Sequence, residues 1–297
     1  LSQSAYLTAT VSSLNPTHRP APAPPVKARP GQLSVTQIKT LIRDPYAIYA
    51  KKVLRLEPLE PLVSVANAAL RGIIIHKVLE RFITEKPTED DASLLKKIAS
   101  EEFQDKCPWP TARAVWLTRL EKSLRQFLSD EAGREIDVRQ HFVELSGKLI
   151  LEESGLKLTC KADRVDLSDD GDVVLYDYKT GAVPTAPQQE KFDKQLLVQA
   201  AMIERGAFST IGVRQVKSAA FIGVNAAMKS VSAPLKKNPT NQVWSELEEL
   251  FINWLAPERG YTARLALFSK TDTSPYDHLS RFGEWDTSQE PVLEMLK

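Results

Sequence analysis

The hydrophobic pattern of this chain changes period once, near His141, and that change limits the folds open to it. Before it, apolar residues recur at three- and four-residue intervals: Ile74, Val78 and Phe82 share one flank of a helix, and Gly72, His76 and Glu80 another. After it come three runs rich in Val, Leu, Ile and Thr, at His141–Leu151, Leu156–Leu167 and Val173–Tyr178. Glu153-Ser154-Gly155 and Ser168-Asp169-Asp170-Gly171 part them, both with turn composition. A helical first half followed by an antiparallel meander is the simplest chain that obeys both periods. A helix over Gln189–Arg205, a strand over Ala219–Val224 and a helix over Trp244–Leu255 are expected next, so the fold class is α/β. The sequence shows no internal repeat.

Six prolines fall between Asn15 and Pro30. Each fixes φ and removes an amide donor, so this stretch cannot join a helix or a central strand and reads as an extended linker. Residues 1–31 are therefore expected to form an upstream arm and linker, and residues 32–297 the folded domain. A start at Leu1 rather than Met is what a piece of a longer protein would show. Ser34 and Gln37 have capping-box spacing, which predicts a short helix to Arg43. Asp44 and Pro45 read as the N-cap and first-turn proline of the next, through Tyr46, Tyr49 and Val53. Further helices are predicted over Val65–Thr84, Ala92–Phe103 and Arg113–Ala132, the last two parted by Cys107-Pro108-Trp109-Pro110.

No apolar run reaches the roughly 18 residues of a membrane-crossing helix, and the start lacks the charged and apolar regions of a secretory signal. No membrane partner is expected, and a cytoplasmic location is. Cys107 and Cys160 are the only cysteines, with neither CxxC spacing nor a histidine at zinc-finger spacing, which argues against a disulfide framework and a structural zinc. A formal net charge of +1 provides no global attraction to nucleic acid. One local excess exists: between Lys27 and Arg55 seven basic residues stand against Asp44 alone, either a solvated helix face or a phosphate-binding strip.

The third strand ends Tyr176-Asp177-Tyr178-Lys179-Thr180-Gly181. Side chains alternate along a strand, so Asp177 and Lys179 project to one side. A hairpin through Asp169-Asp170-Gly171 brings Asp163 near Asp177. Two carboxylates beside a lysine suit a hard divalent cation such as Mg²⁺, which keeps waters able to supply an attacking hydroxide, while the lysine orients that water or stabilises charge on a phosphate. A lone Asp-X-Lys is more often a surface ion pair. His76 can donate a nitrogen to a metal, and Gly72, one turn earlier, allows close approach of backbone or substrate. Gln195 and Gln199 share a helix face, from which a glutamine can hydrogen-bond into the site.

Taken in order, Gly72-Ile73-Ile74-Ile75-His76, Asp163, Asp177-Tyr178-Lys179 and Gln195 resemble the signature of the RecB-type nucleases of the PD-(D/E)XK group. The resemblance extends, through Leu33-Ser34-Val35-Thr36-Gln37-Ile38, Arg43-Asp44-Pro45-Tyr46-Ala47 and Tyr276-Asp277-His278-Leu279-Ser280, to the C-terminal nuclease domains of AddB subunits. It covers about Gln32 to Trp285. It implies a restriction-endonuclease-like core, a mixed central sheet flanked by helices, with a helical N-terminal half. It also implies that His76, Asp163, Asp177 and the Tyr178 backbone carbonyl bind Mg²⁺ or Mn²⁺, that Lys179 is the catalytic lysine, and that Gln195 belongs to the catalytic set.

The implied reaction is phosphodiester hydrolysis of the 5′-terminated DNA strand during double-strand break processing. The implied partners are DNA, as single strands or unwound ends, and an AddA-like helicase-nuclease subunit, in a bacterial cytoplasm beside the nucleoid. No G-x-x-x-x-G-K-[ST] loop is present, so the motor would be the partner's. The sequence departs from the family in two places. Gln199 stands where the helix motif ends in tyrosine, and Asp44 stands where the first of four cluster-binding cysteines is usual. No iron–sulfur cluster is therefore expected, and the N-terminal helices and C-terminal segment should be held by apolar packing instead. The alternatives are a non-catalytic DNA-binding or scaffolding module on the same fold, and a RecB-type nuclease of another pathway.

Overall fold

A computed structural model describes residues 17–59, 62–85, 91–134, 137–224, 228–267 and 272–297. The arm expected over Leu1–Leu14 and the first proline of the expected linker lie outside the described residues. In chain order the elements are β1 (Pro20–Ala23), β2 (Gln32–Ser34), α1 (Val35–Arg43), α2 (Pro45–Ile48), α3 (Ala68–Glu85), α4 (Asp91–Lys106) and α5 (Pro110–Arg134). There follow β3 (Val138–Ile150), β4 (Lys157–Ser168), β5 (Val173–Lys179), α6 (Ala186–Lys191), α7 (Gln195–Ile203), β6 (Val216–Gly223), β7 (Ser230–Ser232), α8 (Thr240–Leu255), α9 (Asp277–Ser280) and β8 (Val292–Met295). None of the helices is long and apolar enough to cross a membrane, among the described residues. The chain divides into two compact units.

The larger unit, Pro30–Lys39 with Leu59–Leu255, carries a mixed sheet in the order β2-β4-β5-β6-β7, with β3 along the other side of β4. The α/β class and the flanked mixed sheet are as expected. All three meander strands lie where the period change put them, and β4 pairs antiparallel with both β3 and β5. Along its other side β4 meets β2 through Lys157–Thr159 and β5 through Arg164–Leu167, so Cys160 to Asp163 lie where one neighbour has ended and the next has not begun. Strand β5 splits its side chains by parity. Tyr176 and Tyr178 join the core made by α3, α4 and α5, in which Val78, Phe82, Phe103 and Phe127 are fully buried. On α7 every residue from Leu196 to Ile203 is buried.

Several local expectations shift. Helix α3 begins at Ala68 rather than near Val65, because Asn67 caps it, its Oδ1 accepting the Leu70 amide at 2.9 Å. The single helix expected over Gln189–Arg205 is broken into α6 and α7. At the break Asp193 pairs with Lys39 and Lys194 with Glu246, each at 2.7 Å, and these ties turn the chain out of helical path. Gln195 thereby becomes the first residue of α7 rather than an interior one.

The smaller unit draws on the described residues of Leu1–Arg29, Thr40–Pro58 and Ala256–Lys297. Here the proline-rich stretch, expected as a linker, instead forms β1, with Ala21 and Ala23 buried and parallel to β8. The alternation Pro20-Ala21-Pro22-Ala23 explains how. The Pro20 and Pro22 carbonyls accept from the amides of Ala263 and Tyr261, on the side where a proline has nothing to donate. The amides of Ala21 and Ala23 remain for the opposite side.

Apolar packing was expected to hold the N-terminal helices to the C-terminal segment, and Tyr46, Tyr49 and Tyr261 do pack in sequence with centroids 5.7 and 6.0 Å apart. A polar clasp shares that work. Asp44 stands at the N-cap of α2 with Pro45 in its first turn, as expected, but its side chain makes no capping bond; its Oδ1 accepts the Arg264 amide at 3.0 Å, and the Arg264 guanidinium grips Asp277 at 2.6 and 2.8 Å. The basic strip is likewise occupied internally at four positions: Arg29 donates to Pro24 and Pro257 carbonyls, Lys39 pairs with Asp193, Arg43 with Asp272 and Lys51 with Glu57.

Candidate active site

The β4–β5 hairpin closes through Gly171, whose φ of +87° suits a glycine, and its ladder runs from Leu167↔Val173 to Arg164↔Tyr176. One step further, Asp163 and Asp177 come opposite each other. Asp163 Oδ2 accepts the Tyr178 amide at 2.8 Å. Asp177 is almost wholly buried; Gln195 donates to its Oδ1, and Lys179 Nζ lies 2.6 Å from its Oδ2. Lys179 also donates to Gln195 Oε1 at 3.2 Å and sits over the buried Phe221 ring, 5.0 Å from its centroid. Asp177, Lys179 and Gln195 thus form a closed three-membered network, which the break between α6 and α7 makes possible.

The electrostatics are unbalanced. Burial first, then repulsion from Asp163, pushes Asp177 up to about 7, against the pull of Lys179 and Gln195. Burial also raises Asp163, with His76, the Tyr178 amide and Lys179 pulling down and Glu144 adding repulsion. Carboxylates held this way are short of positive charge.

Helix α3 delivers His76, whose Nδ1 lies 3.5 Å from Asp163 Oδ2 and whose ring meets Tyr178 edge-on. Gly72 makes this approach possible: a Cβ there would stand 3.3 Å from Thr180 Oγ1, in the turn just after Lys179. The close approach expected at Gly72 is therefore made by the protein's own chain. A cleft of about 430 Å³ opens between Gly72, His76, Glu80, Lys106, Glu144 and Asp163.

His76, Asp163, Asp177, Tyr178, Lys179 and Gln195 are all brought into one neighbourhood, but they divide. His76 and Asp163 converge with Glu144, one ligand atom of each within 4.8 Å of the others. Asp177 stands beside this threesome, its oxygens turned to Lys179 and Gln195. Tyr178 contributes its amide to Asp163 and its buried ring to the α3–α5 core.

Glu144 is the residue that sequence reasoning missed. Its signal was there: Glu144 stands as far before the turn at Glu153-Ser154 as Asp163 stands after it, so folding the hairpin about that turn sets them opposite. The β3–β4 ladder agrees, with Val143↔Arg164 and Leu145↔Ala162 on either side. At Glu144 the backbone is left-handed, φ +52°, a conformation that costs a non-glycine residue strain and gathers at functional positions. Gln199 is buried, and its Nε2 donates to the Lys161 carbonyl at 3.3 Å, in the stretch of β4 between β2 and β5. It serves there as a backbone cap.

Behind the site, Arg164 is fully buried. It reaches Glu131 on α5, Asp166 at 2.7 Å, His141 at 3.3 Å and the Tyr178 hydroxyl at 3.4 Å. Burial works against its charge, but Tyr178, Asp166 and Glu131 outweigh that and hold the guanidinium more firmly charged than usual.

The donor set fits a hard divalent cation. Two carboxylates and an imidazole converge, and the buried Asp177 Oδ2 lacks a directed hydrogen bond despite its ion pair with Lys179.

The chain is 30% identical over 186 residues to an uncharacterized protein of Rickettsia bellii and 28% identical over 190 residues to the uncharacterized protein RT0391 of Rickettsia typhi, 61% of this chain in each case. The match spans only 22% of either relative's length. A solved structure described as "Crystal structure of SSO0001" aligns over 75% of this chain and 80% of its own at 11% identity, and its TM-score of 0.34 is too low to carry an argument. The family model of the PD-(D/E)XK nuclease superfamily matches residues 32–271, which takes in every residue of the cluster. This chain belongs to the PD-(D/E)XK nuclease superfamily.

Proposed function

We propose that this chain is a metal-dependent deoxyribonuclease that hydrolyses phosphodiester bonds, with Asp163, Asp177, Lys179 and Gln195 as its catalytic set. The observation that carries the reading is the convergence of His76, Glu144 and Asp163 beside the closed Asp177–Lys179–Gln195 network. His76, Asp163, Asp177 and the Tyr178 carbonyl would hold a divalent ion such as Mg²⁺ or Mn²⁺, with Glu144 added to that set. Such an ion, when bound, supplies Lewis-acid stabilisation to a phosphate and lowers the pKa of water.

The chain's own residues supply positioning. Gln195 fixes the rotamers of both Asp177 and Lys179, and the Tyr178 amide fixes Asp163. The Lys179 ammonium, braced on Phe221, is placed to neutralise charge that grows on a scissile phosphate. Acting on DNA ends, the chain would cut the 5′-terminated strand in double-strand break processing, beside an AddA-like helicase-nuclease subunit. This finer assignment to an AddB-type subunit rests on the motif resemblance, and the small share of the Rickettsia relatives that is matched leaves room for the rest of such a subunit.

The test is degradation of an end-labelled single strand in Mg²⁺ by the chain and by Asp177→Ala and Lys179→Ala. Activity in the parent and its loss from both folded variants supports the assignment. Equal activity in all three would remove these residues from the chemistry.

A further inference from the structure

Lys161 is a cation beside the ligand set that this reaction does not use. It stands on β4 two residues before Asp163, so both side chains leave the same face of the strand. In the ladder it is opposite Ser146, and from there it reaches diagonally to form an ion pair with Glu144. Other acids here have their own lysines: Glu80 has Lys77 at 2.7 Å and Asp177 has Lys179. Lys161 is instead paired to one of the three groups that converge as a ligand set, and its side chain is 60% exposed.

Those facts set two demands on one carboxylate. A divalent cation shared among His76, Glu144 and Asp163 would bring two like charges onto Glu144 if the ammonium stayed, a repulsion that doubles with the ion's charge. An ion pair so open to solvent is weak enough to yield. The released ammonium, a compact and exposed point charge on a flexible stem beside the ligand set, is the kind of group that takes up a phosphate.

We infer that Lys161 is an exchangeable cation: it holds Glu144 while the ligand set is empty, and turns to a backbone phosphate of the nucleic acid once a divalent ion joins His76, Glu144 and Asp163. This rests on the metal-dependent nuclease reading above and adds a regulation to that site.

The test is calorimetric titration of Mn²⁺ into the whole chain, as parent, Lys161→Gln, Glu144→Gln and the double variant, with Lys161→Arg as a charge-preserving control of folding. Lys161→Gln is expected to bind Mn²⁺ about two- to fivefold more tightly than the parent, the worth of an exposed pair. In the Glu144→Gln background the same change is expected to have no effect, and Lys161→Arg should match the parent. In Ca²⁺, binding of an oligothymidylate strand across a salt series should show a slope of log K against log salt smaller by about 0.7 in Lys161→Gln, one phosphate contact on a single strand.

Unchanged or weaker Mn²⁺ binding by Lys161→Gln overturns the exchange, and so does a gain that persists without Glu144, which would be a general charge effect. An unchanged salt slope removes the phosphate contact. A parent that takes up no Mn²⁺ sinks the metal reading itself and the exchange with it.

Discussion

Two ionic clusters meet on β4, divided by the alternation of its side chains. Arg164 enters one of them, sealed among Glu131, Asp166, His141 and Tyr178, where Tyr178, Asp166 and Glu131 together hold the guanidinium charge against burial. Its neighbour Asp163 enters the other, a cleft with His76 and Glu144 beside the buried Asp177, where burial pushes both aspartates up, with repulsion from Glu144 added at Asp163 and from Asp163 at Asp177. The same strand supplies both, so the contrast is not one of sequence neighbourhood or depth alone. A sealed cluster must satisfy itself, because an unmatched buried charge destabilises the fold. A cluster that keeps unmatched carboxylates is held in a state that a cation would relieve, and such sites gather where function is.

The contrast can be broken most forcefully from the sealed side. Arg164→Met would leave Glu131 with Arg134 alone and the buried Asp166 with only His141, and is expected to lower stability by about 3–5 kcal/mol, read from urea unfolding. A loss below about 1 kcal/mol would show that the network is not what holds α5 to β4. On the open side the order of effects reverses. Asp177→Ala should cost about 10²–10³-fold in nuclease rate, the scale of losing one preorganised group, with little change in unfolding midpoint. Comparable losses of rate and stability would mean that the two clusters do the same work.

The pH dependence sharpens the comparison. Asp177 has a folded-state pKa raised to about 7 from 3.8, so the folded chain holds a proton there that the unfolded chain has released. The stability linked to that proton is present at low pH and lost as pH rises through about 7. Asp177→Asn never ionises and is expected to melt a few °C above the parent at pH 8, with a smaller gap at pH 5. An equal gap at both values would show that Asp177 does not carry the strain. The smallest effect is expected at Gln199→Leu, about 1 kcal/mol of stability, since the Lys161 carbonyl loses its donor while a buried Gln199 oxygen without a partner is removed as well. Thermal melts of both proteins side by side check it; a loss above about 3 kcal/mol would make Gln199 a principal tie of α7 to the sheet.

Much of the fold was legible because hydrophobic period is a local property. The strands β3, β4 and β5 and the helices from α3 to α5 follow from spacing that any stretch of the chain displays without reference to the rest. The Asp177–Lys179 pair is legible for the same reason, being two residues apart on one strand. The α6–α7 break was not, because Lys39 and Glu246, which fasten it, lie far along the chain. The proline stretch was misread for a related reason: proline excludes a central strand, but whether an alternating Pro-Ala segment lies free or finds acceptors to use depends on Tyr261, Ala263 and β8.

By itself, then, the sequence determined the class of fold, the order of its principal elements and the strand that carries an aspartate and a lysine on one face, since each depends on residues a few positions apart. Only the tertiary structure decided that His76 meets the hairpin pair Glu144 and Asp163, that Gln195 opens a helix aimed at Asp177, and that Arg164 finds Glu131 of α5. Those outcomes depend on pairing between distant segments, where register and burial are settled by the whole core rather than by any one stretch of it.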